Sequence, residues 1–188
     1  MAYENGTTAE LSTLLSGPPG PDEAAAYHFR YIERVPDGDI REVLAAQLDD
    51  TLTLLGRISE EASRARYAPD KWSIRQVLAH INDCERLFTF RAFWFARGLD
   101  APLPGFDQDV AAAHVPADTR PWGDLLNEFR EIRSATLSLF RPLLAEHWVR
   151  SGRVDDYQVS VRALAYITAG HVLHHRAVLA EHYGVAAD

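Results

Sequence analysis

One short run constrains this chain more than any other: His171-Val172-Leu173-His174-His175, set in a segment that otherwise reads as a buried helix. At the helical repeat, His171 and His175 stand about 40° apart, one turn up the same face, with Cβ atoms roughly 5–6 Å apart. Leu164, Ile167 and Val178 share that face, so both imidazoles point into the core. A single such residue reads most simply as a core histidine that satisfies another histidine or a carboxylate. Two at i, i+4 on one apolar stripe favour a two-ligand clamp for a transition-metal cation. His174 is less well aimed and reads as a flanking residue that meets solvent or hydrogen-bonds nearby.

Two imidazoles do not hold a cation, so a facing element must supply at least one more ligand. The best candidate is His80, on a helix whose start is marked by a capping box: Ser73 at the N-cap and Gln76 at N3, with Trp72 and Val77 as a hydrophobic staple. Val77, Ile81, Phe88, Ala92 and Phe95 form the apolar stripe of this helix, and His80 flanks it. The remaining histidines are placed worse. His28, His114 and His147 fall in or beside loops and helix ends, and His182 lies about two turns beyond His175. Cys84, at i+4 from His80, is a rival ligand, although a lone buried cysteine usually behaves as a small hydrophobe. Asp83 and Glu85 point away from His80 and read as ion-pair partners, for example of Arg86 or Arg91.

Length and composition suit one domain able to house such a site. The chain has 188 residues, 47% of them hydrophobic and 24% charged, enough to bury a core without disulfide staples. Its single cysteine excludes an internal disulfide framework and suits a reducing compartment. The formal net charge of −8 argues against a nucleic-acid partner. No basic segment followed by an apolar run opens the sequence, and no apolar stretch approaches membrane-spanning length, so a cytoplasmic protein with no membrane association is expected.

The pattern along the chain predicts an all-α fold. Gly17-Pro18-Pro19-Gly20-Pro21 interrupts regular structure, and residues 1–26 are expected to form an N-terminal tail or arm ahead of a bundle domain over 27–188. Helical periodicity predicts four long helices: 39–63, 73–97 ending at Gly98, one starting near Pro121, and 160–183 ending at Gly184. A long loop, 99–120, is expected between the second and third. No strand or hairpin signal is evident. Surplus aromatics on the second helix, Phe90, Phe93 and Trp94, fall outside its best buried stripe and suggest a homodimer.

Three stretches carry a family resemblance: Asp70-Lys71-Trp72-Ser73-Ile74-Arg75-Gln76-Val77-Leu78-Ala79-His80-Ile81, the Pro104-Gly105-Phe106-Asp107-Gln108-Asp109 loop, and the segment from Ser160 through His175. Together they resemble the DinB/YfiT superfamily of damage-inducible-type metalloproteins over residues 30–184. The resemblance implies a four-helix bundle, often dimeric, that binds a divalent cation through three histidines, here His80, His171 and His175. His174 matches no ligand position, and Cys84 stands where close relatives carry threonine. Three neutral histidines leave coordination positions open, as a catalytic site requires. The resemblance is to thiol-dependent S-transferases that use bacterial low-molecular-weight thiols and also to metal-dependent hydrolases. Thiol transfer to small electrophiles is favoured because no Glu of the His-Glu-x-x-His kind is present. Zinc or nickel is the expected cation. A non-enzymatic metal-binding stress-response protein is the contrasting class. Phe106, Asp107 and the Trp122 region are candidates to cover the open metal position.

Overall fold

The computed structural model describes residues 8–185. It contains eight α-helices: α1 (Thr8–Ser16), α2 (Phe29–Ile32), α3 (Ile40–Gly56), α4 (Ile74–Ala96), α5 (Gln108–His114), α6 (Trp122–Phe140), α7 (Ala145–Trp148) and α8 (Val161–Tyr183). A two-stranded hairpin, β1 (Ser151–Val154) and β2 (Tyr157–Ser160), leads into α8. The long helices α3, α4, α6 and α8 form the bundle. α4 packs along both α8 and α6, α3 packs on α6 and touches α8, and α2 lies across α8.

Local chemistry explains where these helices begin. Asp39 caps α3 by accepting from the Arg41 amide at 2.9 Å. Ser73 and Gln76 form the expected capping box on α4, and the Ser160 hydroxyl oxygen accepts from the Ala163 amide at 2.9 Å to open α8. α8 stops at Gly184, whose φ of 69° is left-handed and suits glycine. Gly170 has a different purpose: a Cβ there would run into the backbone carbonyl of Tyr31, so only glycine lets α2 lie this close to α8.

All four bundle helices meet at one buried polar network. Arg133 of α6 is fully buried and makes a two-pronged ion pair with Glu85 of α4, Nε to Oε1 at 2.7 Å and Nη2 to Oε2 at 2.8 Å. Its Nη1 donates to Gln47 Oε1 at 2.8 Å and to the Leu44 carbonyl at 3.0 Å, both on α3. Gln47 in turn donates to the Ala169 carbonyl of α8 at 2.9 Å. The Thr136 hydroxyl adds a bond to Glu85 at 2.8 Å. Every charge is thus matched, the condition under which a buried ion pair is tolerated.

Several expectations need correction. The first long helix ends at Gly56 rather than 63, and the chain turns through a short 3-10 segment, Ala62–Arg64. Residues 99–120 are not one loop: they hold α5, capped by Asp107, and a 3-10 turn, Ala117–Thr119. The hairpin was not expected. Its strands are four residues each, and its inward positions on β1 are Gly152 and Val154, so half the alternation has no side chain to reveal it. The Phe95 ring occupies the space a Gly152 Cβ would need. Leu103 pairs with the hairpin through bonds to Arg153 and Asp155, which ties the segment after α4 to β1. The expected N-terminal arm lies partly outside the described residues. Its described part carries α1, whose Leu15 is fully buried in the main core. Among the described residues no helix is long and apolar enough to cross a membrane.

Candidate metal centre

His80 on α4 and His171 and His175 on α8 converge between the two helices that pack most closely. One ring nitrogen of each lies within 4.8 Å of one from each of the others. Nε2 of His171 is 3.1 Å from Nε2 of His80 and 3.1 Å from Nε2 of His175. Imidazoles ligating one cation at about 2.0–2.1 Å would bring their nitrogens about 2.9–3.4 Å apart for right-angle to tetrahedral geometry. Both distances from His171 fall in that range.

The alternative, three histidines bonded only to each other, does not close. A neutral imidazole has one N–H and one lone pair, and His171 Nε2 carries only one of these, yet it faces two neighbours. Among the described residues no carboxylate reaches the three rings, and Nδ1 of His175 is buried without a partner. Charging the cluster is disfavoured as well. Burial, with His174 nearby, pushes His80 down to about 4. Burial together with the other imidazoles pushes His175 down to about 3 and His171 well below the ordinary value. At neutral pH the cluster is three uncharged bases with one nitrogen each close together, a donor set that fits a divalent cation.

Packing aims the rings. Trp72 lies 4.9 Å from His80 between ring centres, Tyr31 lies 5.4 Å from His171, and Phe88 meets His171 edge-on at 5.7 Å. Tyr31 holds this position because Gly170, the residue before His171, admits its backbone.

His174 stands outside the cluster, half-buried, with its ring against Tyr31 at 5.4 Å. Cys84 Sγ lies 3.6 Å from both nitrogens of His80 and so sits over the ring rather than beside a lone pair. Burial pushes its thiol up to about 12, which keeps it protonated. Asp83 pairs with Arg86 at 3.5 Å, as expected for one of the two acids, whereas Glu85 belongs to Arg133 and not to Arg86 or Arg91. Of the expected cover, only Phe106 comes near. Trp122 is buried and donates to the Leu55 carbonyl, and Asp107 is spent on capping α5.

Beside the triad lies a cavity of about 260 Å³ with His171, Cys84 and Phe88 in its wall. Phe106, expected as a cover, also lines it, together with residues the sequence did not single out for chemistry, among them Tyr27, His28 and Arg30 before and within α2, Arg91 on α4, and Tyr157 on the hairpin. Arg91 could have been found. It lies eleven residues beyond His80, about three turns up nearly the same face of α4. His28 and Tyr157 could not, because only the tertiary fold brings their segments to α4.

Comparison with known proteins agrees with this architecture. The family model described as the DinB superfamily matches residues 43–179. No curated protein matches the chain by sequence. Among solved structures the chain is similar to YfiT from Bacillus subtilis, described as a probable metal-dependent hydrolase with an unusual four-helix bundle topology. The two are 16% identical, with a TM-score of 0.65 over 94% of this chain and 99% of that one, a likeness of fold. With the family model spanning most of its length, from α3 to the last turns of α8, the chain belongs to the DinB superfamily.

Proposed function

We propose that this protein is a metal-dependent enzyme in which His80, His171 and His175 hold a divalent cation, zinc or nickel, and that it transfers a low-molecular-weight thiol to a small electrophile. The observation that carries the reading is the convergence of three uncharged imidazoles, one of which, His171, stands in the wall of a cavity, with no carboxylate hydrogen-bonded to them among the described residues. A cation bound there supplies Lewis acidity, which lowers the pKa of a nearby thiol or water and yields a nucleophile at neutral pH. A thiol, with an ordinary pKa of about 8.5, then needs no separate general base. In the transfer the thiol gives up its proton to solvent, sulfur bonds to the electrophilic atom, and the leaving group departs with its electron pair. The chain's own residues hold the imidazoles in register, exclude water through Tyr31, Phe88 and Trp72, and present a largely aromatic wall to the substrate.

A second reading, hydrolysis, draws on the description of YfiT, whose fold this chain shares. It makes water the nucleophile in the same cavity. We also propose a homodimer. Phe90 and Phe93 are 47% and 40% exposed and flank an apolar groove between α4 and α6 that a second copy would cover.

The double replacement of His171 and His175 by alanine is expected to abolish stoichiometric metal by elemental analysis, because one imidazole cannot retain a cation against buffer. His174→Ala and Cys84→Ser should each keep it. Since protons compete with the cation for the same lone pairs, the low pKa values of His80 and His175 should let the wild type hold metal through pH 6, where free imidazole is largely protonated. Full metal retention in the double variant would overturn the ligand assignment.

Metal-loaded protein should consume a small electrophile in the presence of a bacterial thiol, and the double histidine variant should fall to the rate of the uncatalysed solution reaction. Turnover of an activated ester without thiol would move the assignment to hydrolysis. If neither reaction is seen, and metal removal only lowers the melting temperature, the site is structural or sensory. Light scattering at micromolar concentration should give twice the chain mass, and a strictly monomeric mass would remove the dimer.

A further inference from the structure

Elsewhere in this protein buried cations are matched. Arg75 is fully buried and is spent on Ser63, Glu60 and the Arg120 carbonyl, and Arg133 on Glu85, Gln47 and Leu44. Arg91 breaks the pattern. It is 4% exposed, its Nη2 donates to the Pro104 carbonyl at 2.9 Å, and its buried Nε has no partner. His28, 5% exposed, also has a buried ring nitrogen, Nδ1, without a partner. Both residues line the cavity that has His171 in its wall. Leaving a buried polar group unpaired costs about 1–3 kcal/mol, and more for a charged one, so two such atoms at one cavity point to a partner supplied from outside.

The charge around them is mainly positive. Arg30 also lines the cavity; its guanidinium lies 4.7 Å from the Tyr31 ring centre and donates to the Tyr31 hydroxyl at 2.7 Å. Neither Arg30 nor Arg91 forms an ion pair among the described residues. The single carboxylate of the lining, Asp155, accepts from the Gly105 amide at 2.8 Å. Burial, then Arg91 and Arg30, push His28 down to about 4, which leaves it neutral and places both arginines close by.

We propose that Arg91 and His28, with Arg30 adding charge, form a carboxylate-binding subsite, so that one reactant carries a carboxylate into the cavity that has His171 in its wall. This inference rests on the reading of the cavity as the substrate site. A carboxylate fits these groups: one oxygen for the free Nε–H of Arg91 and the other for Nδ1 of His28 in the tautomer that carries its proton there. These two groups, one of them a neutral imidazole, are too few for a phosphate dianion. Tyr27, Tyr157 and Phe88 wall the space between and suit a flat, unsaturated body. Eleven residues of α4 separate Arg91 from His80, roughly 16 Å of helix axis, and arginine side chains lean back toward the helix start, which sets the carboxylate on the order of 10 Å from the imidazoles.

The test is isothermal titration of the full chain with benzoate and with benzamide, its uncharged isostere, on metal-free and zinc-supplemented protein. Benzoate should bind both forms, and benzamide at least about tenfold more weakly, since a hydrogen bond to a charged group contributes about 1.5–3 kcal/mol. Arg91→Gln should lose about tenfold or more of the benzoate affinity, while the His171/His175 double alanine variant keeps it. That last result separates this proposal from the metal assignment, because the subsite stands even if the cation reading fails. In the wild type, benzoate should shift the ring-proton resonances of His28, a readout that does not depend on Arg91→Gln folding. Equal affinity for benzoate and benzamide would overturn the subsite. So would unchanged affinity in folded Arg91→Gln, no shift at His28, or loss of benzoate binding in the histidine variant alone.

Discussion

The rest of the architecture depends on the ion pair between Arg133 and Glu85. It is buried and two-pronged, and it is the point at which α3, α4, α6 and α8 are connected by polar contacts. An apolar interface tolerates sliding by a fraction of a turn. A buried guanidinium does not, because any slip strands a charge at a cost of about 3–5 kcal/mol. Glu85 lies five residues after His80 on α4, and the Ala169 carbonyl reached through Gln47 lies two residues before His171 on α8. The network therefore sets the axial register between the helix that carries one imidazole and the helix that carries two.

With register set, aim is left to sterics. Gly170 admits Tyr31 against α8, Tyr31 and Phe88 confine His171, and Trp72 confines His80. Carboxylates are absent from the contacts of these rings among the described residues, so packing takes the orienting role that hydrogen bonds commonly have at imidazole sites. The same burial that confines the rings keeps them unprotonated, and three lone pairs facing one point are a destabilising arrangement until something electropositive sits among them. Arg91 and His28, in the cavity that His171 lines, likewise hold buried polar atoms without a partner.

Much of this was legible in the residues and some was not, for identifiable reasons. The α4 start was readable because Ser73 and Gln76 form a local capping box, and the end of α8 because Gly184 is a local stop. His171 and His175 were readable because four-residue spacing on an apolar stripe is also a local property. The early end of α3 was not, because the apolar repeat runs on to Ile58 after the helix has stopped at Gly56. Nor was the hairpin, whose buried Gly152 leaves no side chain to mark the inward face. Arg133 reads as one more charged residue on a helix surface; its burial follows from Glu85 and Gln47, which lie 48 and 86 residues away in the chain. The cavity walls suffer the same limit, being assembled from α2, α4 and the hairpin.

The central claim is that three imidazoles, and nothing else from this chain, hold one divalent cation between α4 and α8. X-ray absorption at the zinc edge of the metal-loaded protein tests it most directly. The account predicts a first shell with three imidazole nitrogens at about 2.0–2.1 Å and no protein sulfur at about 2.3 Å. A sulfur shell in thiol-free buffer would bring Cys84 into the coordination sphere and contradict the assignment, as would a shell containing fewer than three imidazoles.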